Sequence, residues 1–274
     1  MLLESYDSRV MRHIPLLATV LVCLTAPVGR RGAAPLMLDA TTTIVVGPSQ
    51  PGPVIEAVSD LASDFETVVG RKPRIVTRRG DSTGTAIVIA TGGSGGPESF
   101  SITAHGLAVT LTGKDMRGTM YAIYQFSEEF LGIDPLSYWT DHVPARRARV
   151  EIPDGTNRDY PAPVFSYRGF FINDEDLLTG FAPGEEKDHT GISLAMWNKI
   201  YETTLRLKGN TVAPGTWIFS DEPQIALAAK RGLIVTQHHA IPLGMNVARW
   251  PEDAPYTYSS HPEILQHAWR NARD

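Results

Sequence analysis

Apolar residues recur at helical spacing in the first third of the chain. Steps of four and three residues put five large side chains on one helix face: Val54, Val58, Leu61, Phe65 and Val68. Gly70 provides a stop after them. Short runs rich in β-branched residues surround this helix, at positions 42–46, 74–77, 85–90, 99–103 and 107–112. One helix among several strands predicts an α+β domain.

A glycine-rich segment interrupts these strands. Residues 91–97 contain four glycines, which would suit backbone contacts to a phosphate group. A phosphate loop of this kind leads directly into a helix, whereas the residues that follow here predict a strand. The segment is therefore predicted to be a hairpin loop. Residues 112–133 then predict a strand end followed by a helix, in which Gly118 allows close packing on the sheet.

The second half of the chain alternates strands and helices. Residues 164–172 are apolar and aromatic and predict a buried strand, which ends at Asn173-Asp174-Glu175-Asp176. Further strands are predicted at 210–213 and 233–237, and helices at 192–208, 223–231 and 262–272. This order is typical of a parallel sheet in an α/β fold. The sequence predicts the first three βα units of a (β/α)8 barrel, left incomplete, with a doubly wound open sheet as the alternative.

These patterns divide the 274-residue chain into three segments. Residues 1–34 resemble a secretory leader, with a signal peptide at about 11–34 whose apolar core is too short to span a bilayer. Residues 35–155 form the predicted accessory domain and 156–274 the start of the barrel. The boundary is expected between 154 and 163. We therefore expect the protein to be secreted or periplasmic, without stable membrane insertion after the signal peptide is cleaved.

Composition excludes several kinds of function. The formal net charge is −5 and no run of Lys or Arg stands out, which argues against a nucleic-acid partner. Cys23 is the one cysteine, so neither an intrachain disulfide nor a thiolate metal cluster can form. No metal or cofactor is predicted, because adjacent histidines on a strand rarely bind one ion and no His-Glu-x-x-His is present.

Polar side chains follow the predicted strands where a barrel carries its active site. Side chains alternate along a strand, so Asn173 and Glu175 share one side and Asp174 and Asp176 the other. One of the acids could act as general acid or base with a partner from another strand. A solvated loop, or an Asp that caps a turn, is an equally supported interpretation.

Two further groups have the same ambiguity. His238 and His239 end the third predicted strand, where they could contact substrate or be buried. Trp217 and Trp250 could form apolar platforms for sugar rings or belong to the core.

Several segments of the chain resemble the sequences of glycoside hydrolase family 115, the xylan α-1,2-glucuronidases. The likeness runs through 168–175, 205–210 and 236–239, and upstream through 113–124 and 138–144. The accessory domain is also similar to those of other α-glucuronidases and of β-hexosaminidases. Several ordered motifs over residues 40–274 carry the resemblance.

The resemblance implies an activity and the residues that support it. Family members remove (4-O-methyl-)glucuronic acid from xylan by an inverting route without a metal. Paired carboxylates about 6.5–9.5 Å apart leave room for a water. The matching positions are Asp174 and Glu175 as catalytic residues, with Asn173, Trp217, His238 and His239 at the substrate.

The partner implied is thus a polysaccharide or oligosaccharide, and the oligomeric state stays open. The remaining carboxylates of the family lie on later strands, so this chain is expected to be an N-terminal fragment that is inactive alone. The alternative is a truncated, non-catalytic carbohydrate-binding or degenerate product.

Overall fold

A computed structural model describes residues 34–172, 177–178, 192–215, 222–237 and 250–273. The strands in these ranges are β1 (Leu36–Asp39), β2 (Thr43–Val46), β3 (Arg74–Val76), β4 (Ala86–Thr91), β5 (Phe100–His105), β6 (Ala108–Gly113), β7 (Arg149–Ile152), β8 (Asn157–Tyr160), β9 (Gly169–Phe171), β10 (Thr211–Ala213) and β11 (Ile234–Val235). The α-helices are α1 (Gly52–Val69), α2 (Met116–Phe126), α3 (Ser137–Thr140), α4 (Leu194–Arg206), α5 (Pro223–Lys230) and α6 (Pro262–Arg273). A 3₁₀ helix lies at Arg79–Asp81 and a π-helix at Ser127–Leu131.

The first layer consists of a mixed six-stranded sheet with helices α2 and α1. The strand order of the sheet is β3-β2-β4-β6-β5-β8. Strands β3, β2, β4 and β6 are parallel, whereas β5 pairs antiparallel with both β6 and β8. Alternate residues of β5 and β6 are buried, because α2 packs on this face and α1 packs on α2. The helix predicted from the spacing at residues 54–68 is confirmed, and Gly70 ends it with φ of +86°.

The helix α2 begins directly against the sheet. A Cβ on Gly118 would lie 2.4 Å from the backbone oxygen of Ser99, so only glycine fits there. Asp115 caps the helix by accepting a hydrogen bond from the Gly118 amide at 2.9 Å. The close approach predicted for Gly118 is therefore confirmed.

The second sheet is parallel and has the order β11-β10-β9. Helix α4 precedes β10 and helix α5 precedes β11, so strands and helices alternate as predicted. Thr211 of β10 is opposite Gly169 of β9 and Ile234 of β11, which aligns the three strands at one height.

The strand predicted at 164–172 is shorter and more exposed than the sequence suggested. Only Gly169–Phe171 forms the strand, and the prediction of a buried strand from residue 164 is wrong. Val164 and Tyr167 are 93% and 71% exposed. The chain bends at residues 164–166, since the Arg168 side chain and Asn210 bind the carbonyls of Phe165 and Ser166 instead of a neighbouring strand.

Three strands escaped prediction. Strands β1 and β7 form a separate antiparallel pair, and β8 adds an edge to the first sheet. Strand β7 has only Val150 and Ile152 as buried residues, too few for a sustained pattern. Strand β8 falls within the 154–163 span predicted for the boundary, and the division into domains stays a prediction.

Residues 1–33, which include Cys23 and the predicted signal peptide up to residue 33, lie outside the described residues. In the segments of the chain that the structure describes, no helix is both long and apolar enough to cross a membrane.

Candidate functional site

The carboxyl ends of the three parallel strands meet at one edge of the second sheet. Two hydrogen bonds continue the pairing there: the Ile172 amide donates to the Ala213 carbonyl and the Thr236 amide to the Val212 carbonyl, both at 2.9 Å. Ile172, Gly215 and Gln237 are the last described residues before three gaps. The predicted site residues lie in those gaps, outside the described residues: Asn173, Asp174, Glu175, Trp217, His238 and His239.

The opposite ends of the strands are bound to the first layer, and Glu98 is the centre of that contact. Its amide donates to Asp115 Oδ2 at 2.8 Å, so the residue that caps α2 also fixes the Glu98 backbone. Glu98 has φ of +63°, a conformation that is uncommon for a residue with a side chain. Its carboxylate accepts hydrogen bonds from Arg168 at 2.5 Å and from Asn210 at 2.9 Å.

Asn210 uses its whole amide group at this junction. Its Oδ1 accepts from the Arg168 amide and from the Thr211 hydroxyl, both at 2.9 Å. Its Nδ2 donates to Glu98 and, at 2.7 Å, to the Ser166 carbonyl. These four bonds are all that an amide side chain can make. Asn210 therefore fixes the start of β10 against the start of β9 and both against the first layer.

The third strand is held by a separate pair of contacts. Arg231 precedes β11 and forms an ion pair with Asp60 of α1, while Arg117 Nε donates to the Gly232 carbonyl at 3.2 Å. Tyr124 donates to the same Asp60 carboxylate at 2.7 Å. All three parallel strands are thus attached to the first layer at their amino ends, away from the edge that precedes the predicted site residues.

A buried ion pair joins α1 to α4. Both terminal nitrogens of Arg206 donate to Asp64 at 2.9 Å, and Arg206 Nε donates to Glu202 at 2.9 Å. Only 6% of the Arg206 side chain is exposed, so its charge depends on these carboxylates. Burial alone would lower the pKa of Arg206, but Asp64 and Glu202 outweigh it and raise the pKa.

Burial changes the acidity of other groups at the junction. Burial raises the pKa of Asp60, the charge of Glu202 raises it further, and Arg231 opposes both. Burial, assisted by Glu98, raises the pKa of Tyr121, whose hydroxyl donates to the Gly209 carbonyl at 3.0 Å. The junction is therefore largely desolvated, and its hydrogen bonds are correspondingly costly to break.

The sequence did not predict this junction. Arg168 and Asn210 lie in two of the segments that carry the family resemblance, each directly before a strand. Their partners Glu98, Asp60 and Asp64 sit far away in the chain in ordinary polar contexts, and no local pattern identifies them. Within the described residues, no group of three His, Cys, Asp or Glu side chains could hold a metal ion.

The second half of the chain matches a known protein family. Residues 161–273, which contain all three parallel strands, match the model of glycosyl hydrolase family 115. The resemblance to family 115 is confirmed. The match starts directly after β8, so the family 115 pattern begins where the first sheet ends. A comparison with curated protein sequences gives no significant match.

Solved structures share the fold over most of the chain. A family GH115 4-O-methyl-α-glucuronidase, BtGH115A, described as specific for decorated arabinogalactans, superposes with a TM-score of 0.74 and 24% identity over 86% of this chain. This chain spans only 34% of the length of that protein. A family 20 β-N-acetylhexosaminidase from Streptomyces coelicolor A3(2) gives a TM-score of 0.53 and 14% identity over 75% of this chain and 43% of its own.

Proposed function

We propose that this chain is the N-terminal segment of a glycoside hydrolase that removes (4-O-methyl-)glucuronic acid from xylan. The observation that carries the proposal is the family 115 match over residues 161–273, which contain the strands that precede every predicted site residue. The structurally similar 4-O-methyl-α-glucuronidase supports glucuronic acid as the sugar removed, while xylan as its carrier follows from the family resemblance.

The second sheet is proposed to be the opening of a (β/α)8 barrel. Three parallel strands with helices between them, aligned at one height, support this geometry. Within the described residues β9 is an edge strand, and Phe165, Phe170 and Phe171 near it are 74%, 47% and 43% exposed. Large exposed apolar side chains at a sheet edge favour a surface that further chain covers.

The proposed chemistry is an inverting hydrolysis. One carboxylic acid gives its proton to the glycosidic oxygen, so that the xylan hydroxyl leaves. A second carboxylate takes a proton from water while the water oxygen bonds to the anomeric carbon from the opposite face. Asp174 and Glu175 are proposed as catalytic residues, with a further carboxylate from later strands. Asn173, Trp217, His238 and His239 are proposed to bind the sugar.

The experiment uses the product of the complete reading frame at this locus and, in parallel, the 274-residue chain. Uronic acid released from glucuronoxylan is measured for the wild type, Asp174→Asn and Glu175→Gln. We expect each substitution to reduce kcat by about 10²–10⁴-fold, the usual contribution of an acid or base. Asp253→Asn, an exposed carboxylate on a different segment, serves as the matched control.

The outcomes distinguish the proposals. Wild-type turnover in both variants would remove Asp174 and Glu175 from the site. Release from another glycoside alone would overturn the substrate but not the class. A genuine stop after Asp274, with no release from any glycoside, would favour the non-catalytic product. Export is proposed as well, and sequencing the amino terminus of the mature protein tests the cleavage predicted near residue 34.

A further inference from the structure

A cavity of about 330 Å³ lies at the junction of the first layer with residues 161–208. Its walls are mainly apolar: Phe100, Tyr121, Tyr160, Pro161, Pro163 and Leu207. Four polar residues complete the lining, namely Glu98, Gln125, Arg168 and Lys208. Apolar walls with a few directed polar groups, at a domain junction, are the usual composition of a small-ligand pocket, and the volume is at the small end of the range.

Two of the polar residues have hydrogen-bonding capacity left. Within the described residues, the Gln125 side chain makes one hydrogen bond, from Nε2 to Glu129 at 3.0 Å. Its carbonyl oxygen and second amide proton remain free to bind a ligand. The Lys208 ammonium donates to the Arg206 carbonyl at 2.8 Å and to Glu128 at 3.4 Å, which leaves one of its three protons. Together they offer donors and an acceptor above an apolar surface.

The two cations that line the cavity are paired with carboxylates: Arg168 faces Glu98 at 2.5 Å, and Lys208 faces Glu128 at 3.4 Å. Arg117, which lies outside the lining, also faces Glu98, at 4.0 Å. Neither lining cation is therefore left unpaired for an anionic ligand. An apolar ligand that displaced water from the cavity would leave the free groups of Gln125 and Lys208 unpaired, which is costly. A neutral sugar ring meets both requirements: it carries no charge, and its hydroxyl groups can bond to Gln125 and Lys208.

We propose that this cavity binds a neutral sugar unit, such as one residue of a xylan chain. The ring's C–H faces would pack on the aromatic and proline walls, while its hydroxyls bind Gln125 and Lys208. The cavity adjoins Arg168 and Lys208, near the amino ends of the strands. This binding is independent of the hydrolysis proposed above, because none of its residues belongs to the proposed catalytic set.

The test is a titration of the 274-residue chain with xylotriose, followed by calorimetry or saturation-transfer NMR. We expect saturable binding by the wild type, weakened at least about fivefold in Gln125→Leu and in Lys208→Met, the loss expected for one hydrogen bond. Gln266→Leu and Lys72→Met, exposed residues of the same types elsewhere, should bind like the wild type. If Gln125→Leu fails to fold, Gln125→Met removes the same polar groups with an unbranched side chain of similar length and should weaken binding equally.

Several results would overturn the proposal. These are no saturable binding by the wild type, unchanged binding in both cavity variants, or glucuronate binding more tightly than xylotriose. The test does not depend on catalysis: failure of the complete protein to release uronic acid from glucuronoxylan would refute the proposed hydrolase function, and xylotriose binding by the 274-residue chain would leave the cavity assignment standing.

Discussion

Asn210 Nδ2 donates a hydrogen bond to Glu98 Oε1 at 2.9 Å, joining residues 112 positions apart in the chain. This contact ties the start of a parallel strand to the loop before β5 of the first sheet. Together with the Asp60–Arg231 and Asp64–Arg206 pairs, it joins the first layer and residues 161–273 into a single compact unit. The edge that precedes the predicted site residues is left free of these contacts.

Removal of the Asn210 amide should destabilise the protein markedly. Asn210→Ala leaves Glu98 Oε1 and the Arg168 amide without a hydrogen-bond partner, at about 1–3 kcal/mol for each buried group. Asn210→Asp should cost more, because it turns an amide donor into a carboxylate that faces Glu98. Urea unfolding measures both. Asn157→Ala, at an exposed asparagine, should stay within about 0.5 kcal/mol of wild type. Asn210 variants as stable as Asn157→Ala would contradict the role assigned to Asn210.

The Asp64–Arg206 pair should show strong coupling in a double-mutant cycle. Arg206→Met alone leaves the buried Asp64 carboxylate without its cation and should cost about 3–5 kcal/mol. Asp64→Leu should cost less, because Glu202 still pairs with Arg206. The double variant should cost less than the sum of the single changes, because both charges are gone. Strictly additive losses would show that the two side chains do not interact energetically.

Gly169→Ala should disrupt the second sheet selectively. A Cβ at position 169 would lie 1.6 Å from the Thr211 carbonyl oxygen, so β9 cannot keep its pairing with β10. Hydrogen exchange should accelerate at the amides of Thr211 and Ile172, while the amides of β4 stay protected. Gly47→Ala is the matched control, since no atom lies within 4 Å of its Cβ. Normal protection of Thr211 in Gly169→Ala would refute the register.

Glu202 should contribute stability above its ordinary pKa of 4.5 and lose it in acid. Burial would raise the pKa of Glu202, but Arg206 and Lys199 outweigh burial and lower it. A native pKa below the unfolded value means that the unfolded state takes up the proton first, so stability falls as the pH drops below about 4.5. Glu202→Gln should flatten this dependence in urea unfolding, whereas the exposed Glu252→Gln should not. An unchanged acid slope in Glu202→Gln would contradict the shift.

The sequence predicted the elements with a regular apolar pattern and missed those held by distant partners. Helix α1 buries one apolar stripe that is readable locally, and both α1 and α4 were predicted within a few residues of their ends. Strand β8 is polar and exposed because it is an edge, and its position follows only from pairing with β5. The strand at 164–172 was overestimated since apolar composition does not show that Val164 and Tyr167 lack a covering partner.

The candidate site could be predicted only in part from the sequence. The alternation of strands and helices indicated an edge where polar residues follow the strands, and the register of β9, β10 and β11 agrees with that edge. The contacts at the other end, Glu98 with Arg168 and Asn210, depend on residues that only tertiary packing brings together. No local pattern in a single sequence encodes them.

The most direct test of the central claim is the configuration of the first sugar released. The product of the complete reading frame is mixed with glucuronoxylan and followed by time-resolved proton NMR. We predict that (4-O-methyl-)glucuronic acid appears first as the β-anomer and then mutarotates, because a water attacks opposite to the α-linkage. Initial release of the α-anomer, or no uronic acid at all, would contradict the account.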